Sequence, residues 1–163
     1  MFCKIDHYLK VLYRLSGYIA AIFLILVATF ILTGIASRIF GFYIRGLAEY
    51  SGYCMAASSF LALAYTYGEK GHIRITLFLE KASKDIRRFL ELWCLSVATF
   101  FSGFLSFYFI KMLVISIKFG ERSEGADEIY IWIPQVTVAL GSTIFFICVL
   151  HNFILQILKK DNS

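Results

Sequence analysis

Residues 68–89, GEKGHIRITLFLEKASKDIRRF, lie between two long apolar runs and hold six basic residues, Lys70, Arg74, Lys81, Lys84, Arg87 and Arg88. Only Glu69, Glu80 and Asp85 oppose them. Short loops rich in Lys and Arg stay on the cytoplasmic side of a membrane, so this stretch sets the direction in which the chain is threaded. From Ile75 the apolar positions Ile75, Phe78, Leu79, Ala82, Ile86 and Phe89 recur at intervals of three and four, with Glu80, Lys81, Lys84, Asp85, Arg87 and Arg88 on the other face. That pattern predicts an amphipathic helix lying in the inner interface. Each basic residue beside an anionic leaflet contributes about 1 kcal/mol. The alternative is an extension of the following span into the cytoplasm; both versions keep the loop on the inner side.

The composition around this loop decides the class. Of 163 residues 60% are hydrophobic, one is proline, and the mean hydropathy is +0.75. A soluble domain of this size could not bury that much apolar surface, so the chain reads as a polytopic, all-α integral membrane protein. Four runs reach the roughly 20 residues that a bilayer requires: Ser16–Ser37, Leu47–Tyr67, Phe89–Ile117 and Pro134–Ile157. They form a single domain over residues 1–163 with no stretch left for an aqueous one. The first run follows Lys4, Lys10 and Arg14 as a signal peptide would, but its apolar core exceeds the roughly 7–15 residues of a secretory signal and reads as a retained span. Before it, Ile5, Tyr8, Leu9 and Leu12 repeat at helical spacing as a short interfacial lead-in.

Loop charges give the topology. The amino end, the middle loop and Lys159 and Lys160 at the tail are basic, whereas Arg38, Arg45, Lys118 and Arg122 on the other side are diluted by Glu121, Glu124, Asp127 and Glu128. Both termini are expected in the cytoplasm. The net charge of +5 is then an orientation signal with affinity for membrane lipid. It is not a nucleic-acid footprint, because no basic cluster is interleaved with stacking aromatics on a soluble fold.

Membrane helices associate through small side chains. Cys54, Ser58, Ala62 and Thr66 make such a ridge on the second span, and Ala98, Ser102 and Ser106 make one on the third, with Phe100, Phe101, Phe104, Phe107 and Phe109 around it. The loop GERSEGADEIYIWIP is acidic and then aromatic; Tyr130 and Trp132 suit the headgroup belt, and Pro134 suits the first turn of the last helix.

Ionisable groups within spans are functional candidates because burying them is costly. Arg38 closes the first span, and Glu49 falls in the first turn of the second, where the helix end favours a carboxylate. Glu91 and Lys111 lie at the two edges of the third. All four are compatible with interfacial anchoring; Arg38 and Glu49 are also candidates for polar contacts to another helix or subunit. Cys3, Cys54, Cys94 and Cys148 lack CxxC spacing and read as small packing residues. Of the histidines, His7, His72 and His151, only His151 is placed to ligate haem, while His72 beside Arg74 suits ordering of the turn after Gly68 or a partner contact. There is no nucleophile elbow, phosphate-binding glycine loop or HExxH to suggest an enzyme. The middles of all four spans lack a carboxylate, which argues against a self-sufficient proton-coupled carrier and for an accessory subunit.

The segment from Arg38 to Glu80 resembles the small membrane subunit of the tripartite ATP-independent periplasmic (TRAP) transporters. The resemblance rests on Arg38 at the end of the first span, Leu47-Ala48-Glu49 opening the second, and the Gly-X-X-Gly-His-Ile-Arg-Ile run from Gly68 to Ile75. Ile133-Pro134 followed by Gly141 is also similar to that family. The resemblance implies a non-catalytic subunit of the bacterial inner membrane without a cofactor of its own. It implies that a large polytopic membrane subunit holds sodium and substrate, and that a periplasmic solute-binding protein delivers a carboxylate such as a dicarboxylate or a sialic acid. On this basis Arg38, Glu49, Ser58, Ala62, His72, Arg74 and Pro134 are candidate interface or structural positions, and Lys81, Lys84, Arg87 and Arg88 belong to the interfacial helix. The rival readings are a haem- or quinone-binding anchor of a respiratory enzyme and, less favoured, a small multidrug exporter.

Overall fold

A computed structural model describes residues 2–68, 84–125 and 128–158, which fold into four α-helices. They are α1 (Phe2–Ile39), α2 (Leu47–Gly68), α3 (Lys84–Phe119) and α4 (Trp132–Leu158). Three of them contain stretches long and apolar enough to cross a membrane: Tyr8–Ile39, Phe89–Phe119 and Trp132–Ile157, with mean hydropathies of 2.7, 1.8 and 2.1. The 22-residue α2 has the length of a span but is not among them. Its Glu49, four tyrosines and several serines offset its alanines and leucines.

Two boundaries differ from the sequence expectation. The lead-in before Ser16 is continuous with α1, so one helix of 38 residues replaces an interfacial piece and a span. The third helix starts at Lys84 rather than Phe89, so the backbone of Lys84, Arg87 and Arg88 forms its first turns. The rest of the expected interfacial helix, including Lys81, lies outside the described residues.

α1 and α3 stop in the same way. Gly41 adopts φ 75° and Gly120 φ 62°, a left-handed conformation open to glycine at no steric cost. In each case the following residue bonds back over six residues, Phe42 N to Ser37 O at 3.0 Å and Glu121 N to Ser116 O at 3.1 Å. These are Schellman closures, which satisfy carbonyls at the helix end. Both turns lie at one end of the bundle.

The packing order is not the chain order. α1 packs on α2, α2 on α4, and α4 on α3, so α2 and α4 are central and α1 and α3 flank them. α1 and α2 run antiparallel along most of their length. Near one end a side chain at Gly34 would touch Leu47, and at the other a side chain at Gly17 would collide with Tyr65 and one at Gly68 with Tyr13. Midway, the Ser58 hydroxyl donates to Ala20 O at 2.9 Å. α2 meets α4 more closely still. A Cβ at Gly141 would stand 2.8 Å from the Phe60 carbonyl carbon and 3.0 Å from Leu61 N, so the two backbones nearly touch.

The small-residue ridges are partly rotated from expectation. Ser58 is buried, but Ala62 is only half-buried and Thr66 is exposed; the buried line of α2 is Ala57, Ser58, Leu61 and Ala64. Two neighbours flank α2 on different sides, so its buried stripe is wider than a single i, i+4 row. On α3, Ser102 and Ser106 are buried against α4, where Ser106 pairs with Thr143 at 3.0 Å and Gly103 faces Phe146. Phe100, Phe101, Phe104 and Phe107 point outward as expected. Phe109 instead turns in and meets Phe60 edge to face at 5.1 Å.

Replacing Gly141 with valine should destabilise the bundle by about 1–3 kcal/mol through overpacking. Ser58→Ala should cost about 0.6 kcal/mol, the average of a membrane interhelix hydrogen bond. Thermal unfolding of the detergent-purified chain checks both, with Gly141→Val well below Ser58→Ala.

Candidate functional site

The charged side chains among the described residues lie toward the two ends of the bundle, whereas its middle holds small hydroxyls such as Ser58 and Ser106. At the end bearing both Schellman turns, an open groove of about 320 Å³ separates the last turns of α1 from the first turn of α2. Arg38 and Glu49 both line it, so two residues eleven apart in sequence share one site. Arg38 is exposed, and its guanidinium forms no hydrogen bond or ion pair among the described residues. Glu49 is half-buried, and its carboxylate lies against Gly125, in the space that a side chain at Gly125 would occupy. Glu49 therefore reaches the α3–α4 connection as well as the groove.

A second contact ties the same connection down. Tyr53, one turn after Glu49, hydrogen-bonds Ser123 at 2.9 Å. The connection itself folds back as a short hairpin, with Ser123 N donating to Ile129 O at 2.7 Å and Ile131 N to Glu121 O at 3.1 Å. Arg122 stacks over the Tyr130 ring at 5.0 Å and pairs with Glu128 at 3.6 Å. That pair is exposed, so it adds little to stability. Pro134 is the third residue of α4, in its first turn, and its carbonyl accepts from Thr137 Oγ1 at 2.7 Å.

At the opposite end, Gln156 donates to Glu91 at 2.9 Å, joining α4 to α3 through a half-buried carboxylate. Cys148 is fully buried, its thiol facing Ala64 O at 3.7 Å, and Asn152 donates to Cys148 O at 2.9 Å. Cys148 is thus a packing residue, whereas Cys94 is exposed on the surface of α3. No group of three or more His, Cys, Asp or Glu side chains able to hold a metal occurs among the described residues. His72 and Arg74 lie outside the described residues.

Sequence pattern pointed to Arg38 and Glu49 but missed Tyr53, Ser123 and Gly125. Their contacts link residues about 70 apart, and periodicity carries no signal for such a pairing. A glycine in an acidic loop, opposite the only carboxylate of α2, was the sole available hint.

Long apolar helices joined through small-residue contacts define a multi-pass helical membrane protein. The family model described as tripartite ATP-independent periplasmic transporters, DctQ component, matches residues 26–159, and the chain belongs to that family. It is therefore a small membrane subunit of a TRAP transporter. Comparison with curated proteins found no match.

Gly125→Val should displace the flexible Glu49 carboxylate and lower stability by about 1 kcal/mol or less, as expected for one lost polar contact. Tyr53→Phe, which removes one half-buried hydrogen bond, should cost about 1 kcal/mol or less. Thermal unfolding should change little in either variant, whereas proteolysis within residues 120–131 should accelerate in both.

Proposed function

We propose that this chain is the non-catalytic scaffold of a sodium-driven uptake system for an organic acid. In this reading a large membrane subunit binds sodium and the carboxylate substrate, a dicarboxylate or a sialic acid. A periplasmic binding protein delivers that substrate. Family membership supports the assignment to such a complex. Haem or quinone binding finds no support in it.

The observation that carries the scaffold role is the face of α2 left uncovered between its neighbours. Gly52, Met55, Ser59, Leu63 and Thr66, spaced three and four apart, are all exposed on that face. A Cβ added at Gly52 would meet nothing within 4 Å. Lipid tails gain little against hydroxyls and a bare backbone, but a partner helix gains a close approach. α2 also runs beside α1 from Gly34 to Tyr13, a distance of about 32 Å at 1.5 Å per residue, close to a bilayer core. That alignment supports a reading of four crossings, with α2 shielded by protein on its remaining face. The charge distribution supports a cytoplasmic side for both termini and for the basic loop between α2 and α3.

Among the described residues the helices line up rather than closing into a ring: α1 packs on α2 and only slightly on α4, α3 packs on α4, and α1 and α3 do not form a packed pair. Such an array is suited to bracing a neighbour.

Liposomes holding the chain alone should take up no substrate. Uptake should require the large subunit, the binding protein and a sodium gradient together. Leucine at both Gly52 and Ser59 should leave the isolated chain folded yet reduce recovery of the large subunit severalfold in co-purification. Unchanged recovery would remove the α2 face from the interface. A carboxy-terminal green fluorescent protein fusion should fluoresce, and an alkaline phosphatase fusion at the same point should be inactive.

A further inference from the structure

The groove between α1 and α2 has two halves of different chemistry. One wall carries Phe30, Ile31 and Ile35, of which Ile31 and Ile35 are about half exposed. Arg38 stands at the other end, seven residues beyond Ile31 and so about 10 Å further along the helix axis. It lies at the limit of the apolar stretch Tyr8–Ile39, where hydrocarbon gives way to headgroups. Its carbonyl is fixed by Gly41 N at 3.3 Å in the Schellman closure, whereas its guanidinium remains uncommitted among the described residues. A planar fork of donors in that position matches a phosphate diester. Leu47 and Ala48 border the same space, and the positive end of α2 adds to the attraction for an anion.

Glu49 narrows the choice. It lines the groove with a charge opposite to that of Arg38, so a bare anion would meet repulsion beside its binding partner. A headgroup that carries a phosphate and, two carbons on, an ammonium meets each residue with the complementary sign. A volume of about 320 Å³ accommodates such a headgroup, with the acyl chains continuing over Ile31 and Ile35 into the bilayer. We propose that this groove binds one phosphatidylethanolamine molecule, its phosphate on Arg38 and its ammonium toward Glu49. The site depends on neither the transport role nor the direction of threading.

The test is native mass spectrometry of the purified full-length chain, equilibrated in detergent with equal amounts of phosphatidylethanolamine, phosphatidylglycerol and phosphatidylcholine. The wild-type chain should retain one phosphatidylethanolamine in preference to the other two. Arg38→Gln should lower that occupancy about tenfold, the worth of a charge-assisted contact. Arg38→Lys, which keeps the charge but loses the fork, should fall between and serves if Arg38→Gln fails to fold. Glu49→Gln should retain phospholipid but lose the preference for phosphatidylethanolamine over phosphatidylglycerol. Equal occupancy in Arg38→Gln, or a wild-type preference for phosphatidylglycerol, would overturn the proposal. So would displacement of the lipid by glycerophosphoethanolamine at equal concentration, because the acyl chains would then contribute nothing. Loss of the large subunit in Arg38→Gln with lipid retention unchanged would also overturn it, by assigning Arg38 to a protein contact.

Discussion

The contact on which the bundle depends is the near-touching of two backbones, α4 at Gly141 against α2 at Phe60 and Leu61. In lipid, helix association gains nothing from hiding apolar surface, because the tails are as apolar as leucine. Attraction must come from dispersion at short range and from a few hydrogen bonds, and both require that side chains be absent or small. Gly141 supplies that absence at the centre of the array. Once α2 and α4 are joined there, α1 can use the other side of α2 through Ser58 and Ala20, and α3 can use α4 through Ser106 and Thr143. The two flanking helices then expose large apolar faces, as a membrane protein must.

Much of this was legible in the chain. Length, hydropathy and loop charge were enough for an all-helical membrane protein with small-residue contacts, and the inward face of α3 follows its serine spacing closely. The motif from Arg38 through Ile75 and Ile133-Pro134 with Gly141 carried the family. What failed to emerge has physical causes. A ridge drawn at every fourth residue assumes one neighbour, whereas α2 has two, so Ala62 and Thr66 turned away from full burial. Helix starts were placed where polar residues give way to apolar ones. Yet nothing stops a helix from running through Lys84–Arg88, or from Phe2 to Ser16, when no proline or left-handed glycine intervenes. Periodicity reports which face of a helix is buried, but not which helix buries it, so the order α1, α2, α4, α3 could not be read from it.

The site shows the same division. Arg38 and Glu49 stood out because few ionisable groups fall within or beside the apolar runs, and these two close one run and open the next. Their grouping in one groove depends on how α1 and α2 pack, and the bracing of the α3–α4 connection by Tyr53 and Glu49 depends on pairings across about 70 residues. Charge marks a position as special, and only the packing order tells what it is near.

The disparity in helix length has a mechanical consequence. At 1.5 Å per residue α1 measures about 57 Å and α3 about 54 Å, whereas α2 reaches only about 33 Å. A bilayer core of about 30 Å matches α2 and is far too thin for its flanking helices to cross upright. Those helices must lean or extend into the headgroup layer, at a modest cost for each ångström of mismatch. α2 is packed between α1 and α4, and its length is matched by the part of α1 that lies beside it. The excess length of α1 therefore falls mainly at its amino-terminal end, beyond the stretch from Tyr13 to Gly34 that lies along α2.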